Sequence, residues 1–226
     1  SAFAGNPLLI GPDALLQEGL LTQEEVAGAP EFPEDHVDFG PVIAWKDGLL
    51  TRLTEMFDAR ASRAQREAYH RFRDSNQEWL EDFALFMALK RAHGGAPWTE
   101  WSNWLRRREP DALTAAARGL HAEIEAQCVR QFVFFRQWEA LVEAAHAADI
   151  ELVGDIPIFV AHDSADVWSH PEFFTLDASG QPAFVAGVPP DYFSPTGQRW
   201  GNPLYRWEAM RADGYDWWLR RLRAVL

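Results

Sequence analysis

The hydrophobic pattern changes period once, near residue 150, and that single change limits the fold more than any other feature. Before it, apolar residues recur at spacings of three and four, which is helical. Residues 41–58, PVIAWKDGLLTRLTEMFD, place Val42, Ile43, Trp45, Leu49, Leu50, Leu53 and Met56–Phe57 at that spacing, with Pro41 suited to a first turn. Residues 62–75 predict a polar helix. Residues 76–93 predict a strongly periodic one through Trp79, Leu80, Phe83, Phe86 and Met87, stopped by Gly94 and Gly95. Pro110 opens the longest run, 110–148. Unbroken, it would extend about 58 Å at 1.5 Å per residue, so this helix crosses the molecule or bends.

After the change comes ELVGDIPIFVA, residues 151–161, a short apolar run rich in branched side chains. It predicts a strand buried on both faces, with Asp155 where the strand should end. Residues 163–174 predict a helical turn. FFTLDASGQPAFVAG predicts a hairpin turning at Asp177-Ala-Ser-Gly180, and NPLYRWEAMRADGYDWWLRRLRAVL predicts one or two helices. Upstream, residues 1–40 predict loops with short helical pieces: a turn or two from Pro12, and a capping box pairing Thr22 with Glu25. Helix, strand, elaborated loop and helix in succession form the repeating unit of a (β/α) barrel, where chemistry sits on the loops after strand C-termini.

One such loop is conspicuous. Residues 187–205, GVPPDYFSPTGQRWGNPLY, hold too much proline and glycine for a helix interior or a central strand. Yet they carry Asp191, Tyr192, Phe193, Gln198, Arg199, Trp200 and Asn202. Prolines reduce the entropy lost on ordering. Aromatic faces stack on the C–H face of a pyranose, and amide and carboxylate tips bond hydroxyls. That combination suits a polyhydroxylated ligand; the competing reading is a rigid loop with packed aromatics. Arg199 reads as a salt-bridge strut. Asp155 reads equally well as a site residue or as a capping or buried hydrogen-bonded carboxylate. His162, Asp163, Asp166 and His170 cluster without a standard metal spacing, and Asp163 reads as a helix cap.

Composition narrows the partners. The formal net charge of −13 repels phosphate backbones and anionic membrane surfaces, which argues against nucleic acid and membrane and leaves neutral polar ligands open. The one cysteine, Cys128, falls in the helical run and reads as a buried inert thiol. A chain without a disulfide has no need of an oxidising compartment, so the expected location is cytoplasmic. Eleven tryptophans are several times ordinary usage. Trp98, Trp101 and Trp104, three apart, read as a hydrophobic lid on a helical subdomain or as a sugar platform. Both ends, Ser1 and WWLRRLRAVL, read as cut from a longer chain or as the trimmed ends of a whole one.

SAFAGNP (1–7), FALFMALKRAHGGAPW (83–98), FFRQW (134–138), GDIPIFVAHDSADVW (154–168) and VAGVPPDYFSPTGQRWGNPLYRW (185–207) resemble the amylomaltase, or 4-α-glucanotransferase, family of the α-amylase clan. The resemblance runs in order along nearly the whole chain. It implies an α/β fold: a partial TIM (β/α)8 barrel with a mostly helical inserted subdomain, helix-rich in this chain. It implies three segments: 1–40 leading into the insertion, 41–109 the helical subdomain, and 110–226 the long helix, barrel strand, loop and following helices. It implies transfer of α-1,4-glucan segments to a 4-hydroxyl by retaining double displacement, without cofactor or metal. The ligands implied are α-1,4-glucans and maltooligosaccharides. Tyr192, Phe193, Gln198 and Trp200 would contact sugars, as would Asp155, with Asp191 and Asn6 as further candidates. The family's nucleophile sits in a motif like R-I-D-H-F, expected after the helix holding Arg220 and Arg223. This resemblance therefore assigns no catalytic residue to the chain and predicts it inactive alone. A non-catalytic glucan-binding module and a helical interaction domain are the alternatives.

Overall fold

The computed structural model describes residues 1–224. Among them lie α1 (Pro12–Gln17), α2 (Gln23–Ala27), α3 (Phe39–Arg60), α4 (Arg63–Ala92), α5 (Asn103–Arg106), α6 (Pro110–Gly119), α7 (His121–Ala147) and α8 (Ala165–Ser169). Then follow strands β1 (Val185–Val188) and β2 (Gln198–Pro203), and helices α9 (Trp207–Ala212) and α10 (Asp216–Arg223). The chain divides into two compact units interleaved in sequence. The first is Ser1–Ala4, Asp82–His121 and Val153–Leu226; the second is Gly5–Glu81 and Ala122–Leu152.

Local chemistry sets most helix ends. Thr22 and Glu25 form the reciprocal capping box on α2. Ser62 and Gln65 do the same before α4: Gln65 N donates to Ser62 Oγ at 3.2 Å, and Ser62 N to Gln65 Oε1 at 2.8 Å. The two helices expected over 62–75 and 76–93 are one, Arg63–Ala92. Gly94 and Gly95 take left-handed φ of 62° and 83°, and Gly95 N returns to Lys90 O at 2.8 Å, closing α4. The run over 110–148 is two helices. α6 ends at Gly119, and Leu120 leaves helical geometry at φ −112°, ψ 20°.

The second unit packs the apolar faces of α3, α4 and α7. Leu50, Leu53, Phe57, Leu80 and Phe132 are fully buried, and the rings of Phe57, Tyr69 and Phe132 meet edge-on. Polar clamps fix the loop before α1 to α7. Gln131 accepts from Gly5 N at 2.8 Å and donates to Gly5 O at 3.0 Å; Gln137 does the same for Gly11 at 2.7 and 3.1 Å. Buried Arg130 is met by Asp47 and by Thr51 Oγ1, each at 3.1 Å. Cys128 is buried here, as expected.

The first unit centres on aromatic residues. Trp98, Trp101, Trp168 and Trp217 are buried, and Trp168 touches both Phe86 and Trp101. Its sheet is a two-stranded antiparallel pair, β1 with β2, in register Gly187 with Arg199 and Val188 with Gln198. The expected turn at Asp177–Gly180 forms, with Asp177 Oδ1 accepting from Ser179 N and Gln181 N. The ladder beyond it shrinks to a bridge between Leu176 and Pro182, because Pro182 has no N–H to give and β1 pairs with β2 instead.

The strand expected over 151–161 is not formed among the described residues. The segment is irregular, with a bend at 158–159 and no ladder, and Val153 is 96% exposed. The reason is pairing. A strand needs a neighbour to take its N–H and C=O groups, and no described strand pairs with it through backbone hydrogen bonds. The expectation of burial on both faces is corrected accordingly. The helix-rich part of the expected fold is observed, and the described sheet is antiparallel.

Candidate functional site

The loop between β1 and β2 is shaped by its own short-range bonds. Asp191 Oδ1 accepts from Phe193 N at 3.0 Å and Ser194 N at 2.8 Å, an Asx-type turn that fixes the two residues following it. Ser194 Oγ donates to Gly197 O at 2.8 Å. Gly197 sits at φ +72°, where a Cβ would fall 2.6 Å from Val188 O. Gly187 is confined from the other side, its hypothetical Cβ 2.4 Å from Gln198 O. Only glycine lets the two strands close so tightly into the loop.

What the turn presents is aromatic surface. Tyr192 is 96% and Phe193 88% exposed, with their rings edge to face at 5.6 Å. Neither ring is part of the core, which removes the reading of packed structural aromatics for these two. Trp200 is half-exposed on β2, and its Nε1–H donates to Gln198 Oε1 at 2.9 Å. That bond fixes the indole and leaves the Gln198 amide N–H2 without a partner among the described residues. Arg199 is exposed and makes no ion pair among them, so the strut expected from the sequence is not there.

Asp155 is exposed and borders a cleft of about 300 Å³, lined also by Ile156, Pro157, Phe159, Val160 and Arg221. Two contacts join this cleft to the base of the loop. Asn202 Nδ2 donates to Val160 O at 2.8 Å, and Phe159 lies 6.4 Å, ring to ring, from Trp200. Asn202, which the sequence offered as a hydroxyl partner, thus uses its amide N–H on backbone. Phe159 lines the cleft and meets the Trp200 ring, whereas Trp200, Tyr192 and Phe193 are not themselves among the cleft's lining residues. Asn6 belongs to the second unit, where its Oδ1 accepts from Leu8 N at 3.0 Å and caps a short 3-10 turn.

The sequence did not single out Phe159 or Arg221. Phe159 stacks on Tyr205 at 5.7 Å and 18°, carrying the cleft wall into the core. Arg221 is buried; its guanidinium bonds Pro157 O and lies 3.4 Å from Tyr205 Oη. Burial pushes the Tyr205 phenol up to about 12, so it stays protonated beside this cation. The signal was present: Trp217 and Arg221 are four apart on one face of α10, and a charge on a buried face needs a reason.

The four ligand-type residues at 162–170 go to separate partners. His162 Nε2 meets Gly180 O at 2.7 Å, Asp163 pairs with Lys90, Asp166 accepts from Ala2 N at 2.9 Å, and His170 faces Glu172 at 3.3 Å. No group of metal-binding side chains forms among the described residues. Ser164, not Asp163, caps α8.

Comparison places this arrangement among known proteins. The profile described as 4-alpha-glucanotransferase matches residues 1–226. A 4-alpha-glucanotransferase from Thermus thermophilus is 51% identical over 226 residues, covering 100% of this chain and 44% of that protein. One from Synechocystis is 44% identical over 227 residues, covering 100% of this chain and 45% of that protein. An amylomaltase from Streptococcus agalactiae, solved in complex with acarbose, superposes with TM-score 0.91 at 35% identity, over 99% of this chain and 45% of its own. The chain belongs to the 4-alpha-glucanotransferase family. It spans less than half the length of these relatives.

Proposed function

We propose that this chain supplies the glucan-gripping part of a 4-α-glucanotransferase, and that the loop over 189–197 holds an α-1,4-glucan against the Asp155 cleft. The observation that carries this reading is the pair of free rings at Tyr192 and Phe193. They stand on a turn braced by Asp191 and by glycines that cannot be replaced without collision, next to a strand bearing the half-exposed Trp200. Large apolar faces held in water by a rigid backbone suit a ligand with an apolar face and hydroxyl edges. Trp200, Tyr192 and Phe193 stack on sugar rings. Gln198, through its free amide N–H2, and Asp155 bond hydroxyls. Asp191 acts from behind, shaping the turn.

Retaining glycosyl transfer needs two carboxyl groups about 5–5.5 Å apart. Among the described residues Asp155 is the only carboxylate lining the cleft. The chain alone therefore binds without turning over. In the proposed complete enzyme, residues 151–161 pair as a barrel strand, and the reacting carboxylates come from polypeptide outside residues 1–226.

Calorimetric titration with maltoheptaose tests the binding, and glucose release from maltotriose tests the chemistry. The expected result is saturable binding, weakened about tenfold by Trp200→Ala, a loss of roughly 1.4 kcal/mol, with no glucose released. Binding unaffected by Trp200→Ala rules out the proposed grip. Glucose release rules out the assignment of the reacting groups.

A further inference from the structure

Of the three tryptophans spaced three apart, only one remains in water. Trp98 and Trp101 are buried and donate their indole N–H groups to His162 O at 2.9 Å and Ala96 O at 3.2 Å. Trp104 is 64% exposed. The spacing keeps residues on one face only within a continuous helix. Here Trp101 is extended at ψ 169° and Ser102 caps a new turn, which swings Trp104 away from the other two.

The exposed indole borders a concavity of about 540 Å³ lined by Trp104, Glu109, Pro110, Asp111 and Ala112. Among the described residues the Trp104 Nε1–H has no acceptor, and the carboxylates of Glu109 and Asp111 have neither hydrogen-bond donor nor cation. The turn that holds them is stiff. Glu109 N donates to Trp104 O at 2.9 Å. Between them Arg108 is held in the left-handed region at φ +57°. Its guanidinium sits 4.3 Å over the buried Trp168 ring and bonds Asp82 at 2.6 Å.

We propose that this concavity is a second binding site for an α-glucan chain, sharing no lining residue with the Asp155 cleft. The proposal takes its ligand class from the glucan reading above. A pyranose C–H face stacks on the indole, its hydroxyls donate to Glu109 and Asp111, and a hydroxyl or ring oxygen accepts from Nε1–H. Two carboxylates beside one ring would also attract an organic cation. Cation recognition, however, encloses the charge in several aromatic walls and gives an indole N–H nothing to bond, whereas a sugar uses all three groups.

The test is an indole N–H spectrum of the 15N-labelled chain, with the Trp104 and Trp200 signals assigned by Trp104→Phe and Trp200→Phe. On titration with maltoheptaose, the Trp104 signal is expected to shift saturably at millimolar concentration, including in the Trp200→Phe chain. Glu109→Gln with Asp111→Asn, which leaves the indole in place, is expected to weaken that response at least threefold. A moving Trp200 signal with a fixed Trp104 signal overturns this site alone. Two fixed signals overturn the glucan reading as well. A Trp104 signal moved by tetramethylammonium and not by maltoheptaose overturns the ligand class.

Discussion

Single residues show where this chain keeps charge and where it buries it. Glu25 bonds Arg60 through both oxygens, at 2.7 and 3.0 Å, and accepts from Thr22 N and Arg52; the Arg60 hydrogen bonds, the largest cause, hold its carboxyl down at about 2 against an ordinary 4.5. A depressed carboxyl stabilises the fold above its unfolded value, and this contribution is lost as pH falls through the folded one. The urea midpoint is therefore expected to drop between about pH 5 and pH 2.5, with a smaller drop for Glu25→Gln; equal drops would remove Glu25 from the account. Cys128 is the opposite case. Burial pushes its thiol up to about 12, so a thiol reagent at neutral pH is expected to leave the native chain unmodified and to label it once urea unfolds it. Rapid native labelling would contradict its burial. The sequence made this cysteine legible through its place in the periodic run; for Arg221 it offered only the shared face with Trp217, because the partners Pro157 and Tyr205 are remote in sequence.

Elements were legible where their signals are local. The capping box at Thr22 and the glycines after α4 lie within a few residues of what they control, and both act as expected. Residues 110–148 left a crossing helix and a bent one open, and the break falls at Leu120, which keeps the apolar pattern while leaving the helix. The turn between β1 and β2 was legible as a stiff aromatic loop; its Asx turn and the Trp200–Gln198 bond depend on backbone geometry that residue order does not specify. Gly197→Ala tests that turn. A side chain at φ +72° and 2.6 Å from a backbone oxygen should destabilise the hairpin by about 1–3 kcal/mol. Hydrogen exchange is expected to accelerate across 185–203 while amides near Trp168 and Trp217 keep their protection; unchanged exchange in the hairpin would mean the turn tolerates a Cβ.

At the scale of the molecule, the least legible part was the segment 151–161. Its composition is that of a buried strand, but a strand is a property of at least two segments, and no described strand pairs with this one. Its exposed Leu152, Val153 and Ile158 are what an unpaired barrel strand would leave in water. Amides of 151–161 are accordingly expected to exchange within seconds in this chain and to be strongly protected in a protein of the relatives' full length. Rapid exchange in both would contradict the proposed barrel pairing. The central claim is that the free rings of the loop over 189–197 meet sugar directly. Intermolecular nuclear Overhauser contacts between maltoheptaose and this chain measure that most directly. The account predicts cross-peaks from sugar C–H protons to the rings of Tyr192, Phe193 and Trp200; bound maltoheptaose that touches other residues and none of these rings would contradict it.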